Sequence, residues 1–158
     1  MKNVILFASI FIASGLLFTN LYNSIIDAKS WGSNIPNSIF TAREYFKVTD
    51  PGNFYRVFSP INQVIALIVL IAFWKSFPSL RLYMGAVLAL YIFADVMTFA
   101  YFYPRNDIMF KTAQLTDTDL LKKTWSEWTM MTWVRTAALF IGVVLSFYSI
   151  HQVFTLKK

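Results

Sequence analysis

Four long apolar runs constrain this chain more than any other feature. They cover about residues 4–26, 60–77, 82–103 and 128–153. Each is close to the ~20 residues a helix needs to cross the hydrocarbon core of a bilayer. Backbone polar groups have no water partner there, so the chain must satisfy them within each segment, and a helix does so. Composition agrees, with 57% apolar and only 14% charged residues. A soluble domain is nearer half apolar and a quarter charged. The expected fold is all-α: one integral membrane domain over residues 1–158, a left-handed antiparallel four-helix bundle with a helical extramembrane connection between spans one and two.

The connections carry their own signals. "WKSFPSLR" between spans two and three predicts a tight turn around Pro78. Asp50 followed by Pro51 predicts a helix start that runs into span two, with a kink at Pro60. Residues 38–47 predict a short interfacial helix with Ile39, Phe40 and Phe46 toward lipid. Thr116 or Asp117 is the predicted cap of the helix leading into span four. The first run continues past Ser14 and Gly15 without a small-residue cleavage pattern, so it reads as a span rather than a removed signal. Gly15 and Gly142 read as close-packing sites.

Several chemistries are excluded by residue count. There is no cysteine, and His151 is the single histidine, so disulfides, thiolate sites and multi-histidine metal sites within one chain are ruled out. No phosphate-cradling glycine motif occurs, and no cofactor or metal is expected. The +6 net charge is scattered over loops and ends without a basic stripe, which points to lipid headgroups rather than nucleic acid. Lys2, Lys75, Arg81, Lys157 and Lys158 fall on one side with no acidic residue among them. That density predicts both termini on the cytoplasmic side, and the basic ends, the lack of cysteine and the short loops suit a bacterial inner membrane.

Two charges lie inside spans. Asp95 stands nine residues before Pro104, about 13 Å along a helix, and Arg135 ten residues after Trp125, about 15 Å. Spans three and four run in opposite directions, so the two are expected at one depth, as an ion pair that offsets the cost of burying either alone. On span four, Trp128, Thr132, Arg135, Ala138, Gly142, Ser146 and Ser149 share a helical face. Tyr91, Asp95, Thr98 and Phe102 do so on span three, and Ser9, Ala13, Leu16, Asn20, Asn23 and Asp27 on span one. Tyr101, Tyr103, Trp125, Trp128 and Trp133 crowd the same level, as an interfacial belt or as pocket walls. The candidate site is therefore Asp95, Arg135 and Glu127 for chemistry, with Asn20, Asn23, Thr98, Asn106, Trp128 and Thr132 for binding. It would open outward and take an apolar small molecule or lipid.

"ADVMTFAYFYPRN" closing span three and "WSEWTMMTWVRTAALFIG" opening span four resemble the anthrone-oxygenase-like family of small four-span membrane proteins. The family pattern has Pro and Asn just after span three, then a Trp-rich approach to an Asn-x-x-Arg-Thr-like element. The matching positions are Pro104, Asn106, Trp125, Trp128, Arg135 and Thr136, with Thr132 in place of the Asn. "AREYFKVTDPGNFYRVFSPINQ" is similar to the family's first connection. The resemblance implies cofactor-independent oxidation of aromatic anthrones, which needs an apolar pocket, a base and access for oxygen. A carboxylate paired with Arg135 is held ionised and is a poor base, so Glu127 or Asp107 near the mouth is the better candidate.

Two alternatives stay open. One is a non-catalytic lipid-binding module or a subunit of a larger membrane complex, docking through Ile39, Phe40, Phe46, Phe54 and Phe58. The other, weaker, is proton or ion transport, for which the inner half lacks a relay of ionisable groups.

Overall fold

The structure, a computed structural model, describes residues 2–112 and 117–156. Thr116, Lys157 and Lys158, named above, lie outside the described residues. The chain is helical, with no strand among the described residues. Four helices are long and apolar enough to cross a membrane. These are α1 (Lys2–Gly32), α3 (Pro51–Phe73), α4 (Pro78–Lys111) and α5 (Thr118–Thr155). Between α1 and α3 lies the short α2 (Asn37–Tyr45).

Most helices overshoot their apolar runs, and the caps show why. Asp50 Oδ1 accepts from the Gly52 amide at 2.7 Å, and Pro51 occupies the first helical position, where no N–H is needed. Helix α3 therefore starts nine residues before its apolar run and continues through Pro60 without a break. Asp117 Oδ1 accepts from the Asp119 and Leu120 amides at 3.0 Å each, which starts α5 well ahead of Trp128. Helix α4 begins with a short 3₁₀ turn at Pro78–Leu80. It then passes through wide π-type turns at Thr98–Phe102 and Asp107–Lys111, and α1 has one at Asn23–Asp27.

Large apolar side chains cover the outside, as lipid demands, and the buried polar residues sit inside among apolar ones. Phe7, Phe11 and Phe18 on α1, Val64 and Ile71 on α3, Val96 and Phe99 on α4, and Val144 and Phe147 on α5 are exposed. Ser9, Asn20, Asn62, Thr98, Thr132, Ser146 and Ser149 are buried. Three of the hydroxyls are satisfied within their own helix: Thr98 donates to Ala94 O, Ser146 to Gly142 O and Ser149 to Leu145 O. One apolar cluster joins Leu6 and Ile10 of α1, Val69 and Phe73 of α3, Leu80 and Met84 of α4, and Ile150 and Val153 of α5. The start of α1, the end of α3, the start of α4 and the end of α5 thus share one level. Lys2 Nζ donates to Ser76 Oγ there, at 3.0 Å.

The α2 expectation is corrected in its orientation. Ile39 is fully buried, and Phe40 and Phe46 pack on the cluster formed by Trp31, Phe102, Met109, Leu121 and Trp128. The helix turns its apolar side to the protein because the overhanging ends of α1, α4 and α5 offer it aromatic surface. That withdraws Ile39, Phe40 and Phe46 from any docking face.

The two glycines also part company. A Cβ on Gly142 would meet the buried Tyr91 ring at 2.5 Å, whereas one on Gly15 meets nothing within 4 Å. Gly15 is thus not a close-packing site. Gly142→Ala is expected to destabilise by about 1–3 kcal/mol through overpacking, and Gly15→Ala not at all. Thermal unfolding of the two variants in detergent, side by side, checks the contrast.

Candidate functional site

The helical overhangs and α2 enclose a cavity of about 560 Å³ on the side of the long connections. Its wall is a run of aromatic rings. Phe110 meets Trp31 edge-on at 4.8 Å, Trp31 meets Trp128 at 5.0 Å, and Trp128 meets Phe102 at 5.6 Å. Tyr55, Tyr103, Phe40 and Phe46 complete it. Helix α2 is fastened over the cavity by Arg43, whose Nε donates to Met109 O at 2.6 Å, in the last wide turn of α4. Partial burial lowers the Arg43 pKa below the usual arginine value. Trp125 Nε1 donates to Ala28 O at 2.7 Å and ties the end of α1 to α5. Gly32 lies against the Trp125 ring, where a Cβ would collide.

Arg135 stands at the inner end of this wall, 5% exposed. Its Nε donates to Asn20 Oδ1 at 2.7 Å and its Nη1 to Thr98 Oγ1 at 3.2 Å. The guanidinium lies 4.1 Å from the Phe102 ring centre and 5.0 Å from that of Tyr55. Each of these contacts is with a neutral group.

The expected Asp95–Arg135 ion pair is not formed. The ion pairs among the described residues are Lys47–Glu44, Arg105–Glu127 and Lys111–Asp107. Asp95 instead accepts from Gln63 Nε2, between α3 and α4. It does not line the large cavity but a neighbouring hollow of about 10 Å³, shared with Ser59, Asn62 and Arg135. The depth estimate brings the two residues near one another. The rotation about α4 turns the carboxylate toward α3.

Of the other candidates, Asn23, Thr98, Asn106 and Trp128 line the cavity. Asn23 Oδ1 accepts from the Tyr55 hydroxyl at 2.9 Å. Asn20 and Thr132 are fully buried behind the wall. Asn20 donates to the Thr136 hydroxyl and braces Arg135. Glu127 lies off the cavity, held by Arg105 Nη2 at 2.7 Å, with the Arg105 guanidinium over the Tyr101 ring. Asp107 stays at the rim, bound to Lys111 at 2.7 Å. Of the belt residues, Tyr103 and Trp128 belong to the wall and Trp133 remains on the outer surface.

Trp31, Tyr55 and Phe110 were missed. The first two carried a signal: Trp31 extends the Asn20–Asn23–Asp27 stripe by four residues, and Tyr55 stands four before Ser59. No group of three or more His, Cys, Asp or Glu side chains is placed to hold a metal among the described residues.

No protein-family model, curated protein or solved structure matches this chain.

The contacts rank the polar residues by structural weight. Asn20→Leu removes a neutral acceptor of a buried guanidinium and is expected to destabilise by about 2–3 kcal/mol. Asp95→Asn keeps a partner for Gln63 and is expected to cost under about 1 kcal/mol. An ion-pair staple at Asp95 would reverse that order. Unfolding both variants by SDS titration decides between the two.

Proposed function

We propose that this chain is an integral membrane protein whose outward cavity receives a largely apolar, ring-bearing small molecule. The single observation that carries the reading is the 560 Å³ cavity, walled by aromatic rings in edge-to-face contact and ending at one buried guanidinium. Small-molecule sites generally combine such a volume and apolar lining with a few placed polar groups. In this reading the four helices form an antiparallel bundle across a bacterial inner membrane, with Lys2, Lys75 and Arg81 at the cytoplasmic end. The cavity then opens to the other side, past Lys47, Val48 and Asn53.

The catalytic form of the reading follows the resemblance to anthrone oxygenases. There O₂ is the oxidant: a ring methylene becomes a carbonyl and one water is released, without a cofactor. The cavity supplies the apolar room. The base is the weak element, because the lining carboxylates are Glu44, Asp50 and Asp107. Glu44 and Asp107 are in ion pairs, and Asp50 caps α3. This favours binding without turnover as the second reading: a carrier or sensor of the same class of molecule.

Calorimetric titration of the detergent-purified protein with anthrone tests occupancy, and an oxygen electrode tests turnover. Saturable binding is expected at a stoichiometry near one. A bulky rim substitution, Asn53→Trp with Val48→Trp, is expected to weaken it by about tenfold or more. Binding unchanged by the rim variant would place the ligand elsewhere. Saturable binding with no oxygen uptake would leave the carrier reading.

A further inference from the structure

The cavity has an electrostatic imbalance that an apolar ligand alone does not answer. A guanidinium has five N–H donors. Arg135 spends one on Asn20 and one on Thr98, so three remain, in a buried residue with no carboxylate in contact. Asp95, across the hollow it shares with Arg135, is bound to Gln63 rather than to the guanidinium. A buried charge without a counter-charge in contact is costly, and the aromatic faces of Phe102 and Tyr55 offset only part of that. A second observation points the same way. Trp128 is 4% exposed, lines the same cavity, and its Nε1–H has no acceptor. Both are donors, and both flank the Phe102 ring.

We infer that the molecule bound here carries a carboxylate, taken by the free N–H groups of Arg135 and by Trp128 Nε1, with its apolar body along the ring wall. The inference rests on the binding reading above and adds the ligand's charge class. One deep cation matches one negative charge, so a monoanionic acid fits and a phosphate dianion would leave an excess. Two oxygens suit a donor set split between a guanidinium and an indole. Asn106 Oδ1, also buried and unpartnered on the wall, is an acceptor and takes no part in holding the anion.

The rim is built to admit such a charge. Its carboxylates are occupied: Glu44 by Lys47, Asp107 by Lys111, Asp50 by the Gly52 amide. Arg43 and Arg56 face no carboxylate at contact distance; Arg43 binds backbone carbonyls and Arg56 binds Asn53 Oδ1. The net positive entrance draws anions inward.

The test uses the full chain in a non-ionic detergent, titrated calorimetrically at pH 7 with 2-naphthoate and with 2-naphthamide, which share a shape and differ in charge. Naphthoate is expected to bind about ten to a hundred times tighter than the amide. Arg135→Gln should bring the ratio close to one. Trp128→Phe removes the N–H and trims the indole to a single ring, so both probes lose some wall contact, but naphthoate should weaken by about fivefold more than the amide. If Arg135→Gln does not fold, the Trp128→Phe comparison decides.

Equal affinity of the two probes for the wild-type protein overturns the carboxylate and leaves the binding reading standing. Binding of neither overturns both. Because a fatty acid offers the same headgroup, laurate is titrated in parallel. Weaker binding than naphthoate is expected in a ring-walled cavity. Tighter binding keeps the carboxylate and assigns it to a lipid acid.

Discussion

The arrangement of this protein turns on one buried cation held by neutral neighbours. Arg135 is placed where the surrounding helices are apolar, and its nearest partners are an amide oxygen, a hydroxyl and two aromatic faces. Much else follows from accommodating it. Asn20 is fixed on α1 between Arg135 and Thr136, and that contact pins α1 against α5. Thr98 sits where the helix of α4 widens, so its hydroxyl accepts from Arg135 while donating to Ala94 O. The Phe102 ring, one turn further along, lies against the same guanidinium.

The wide turns belong to this accommodation. A π-type turn inserts a residue and rotates everything beyond it by roughly 100° relative to a regular helix. Such turns occur at Asn23–Asp27, Thr98–Phe102 and Asp107–Lys111, and residues of all three line the cavity. The carbonyls of the last are partly satisfied by Arg43, which brings α2 down as a cover. Irregular backbone near a membrane is tolerated where it lines a cavity or is buried in protein, and its position here follows that rule.

How much of this could be read from the residues depends on which coordinate was needed. Depth along a helix is counted at a fixed rise, and hydropathy alone located four membrane-length helices. The Asp50 and Asp117 caps were legible because capping is local. The stripes on spans one and four were legible too: Asn20 and Asn23, and Trp128, Thr132 and Arg135, are buried together. Azimuth on α4 was not. The expected face was Tyr91, Asp95, Thr98 and Phe102, but the buried one is Tyr91, Ala94, Thr98 and Phe102. A one-residue difference in phase turns Asp95 toward Gln63 of α3 and leaves Arg135 without its presumed partner. Helical periodicity admits both spacings, and only the packing of α3 against α4 chooses. Two of the overhangs were hidden for another reason. Trp31 and Phe110 lie beyond the apolar runs, in segments that read as loops until the helices are seen to continue through them, whereas Tyr55 lies in the helix expected from Pro51.

Arginine at this position does work that lysine would not. An ammonium has three donors on a single atom, so partners compete for one point in space. A guanidinium spreads five donors over a plane. Two donors can be built into the scaffold, as Nε and one N–H of Nη1 are with Asn20 and Thr98, while Nη2 stays uncommitted. Because the scaffold bonds are to neutral acceptors, they orient the charge without cancelling it. A carboxylate in contact, such as the expected Asp95, would have stabilised the bundle more and left less attraction for anything entering the cavity. The one-residue shift in phase that turns Asp95 away from Arg135 is thus what the proposed binding role of this cation rests on.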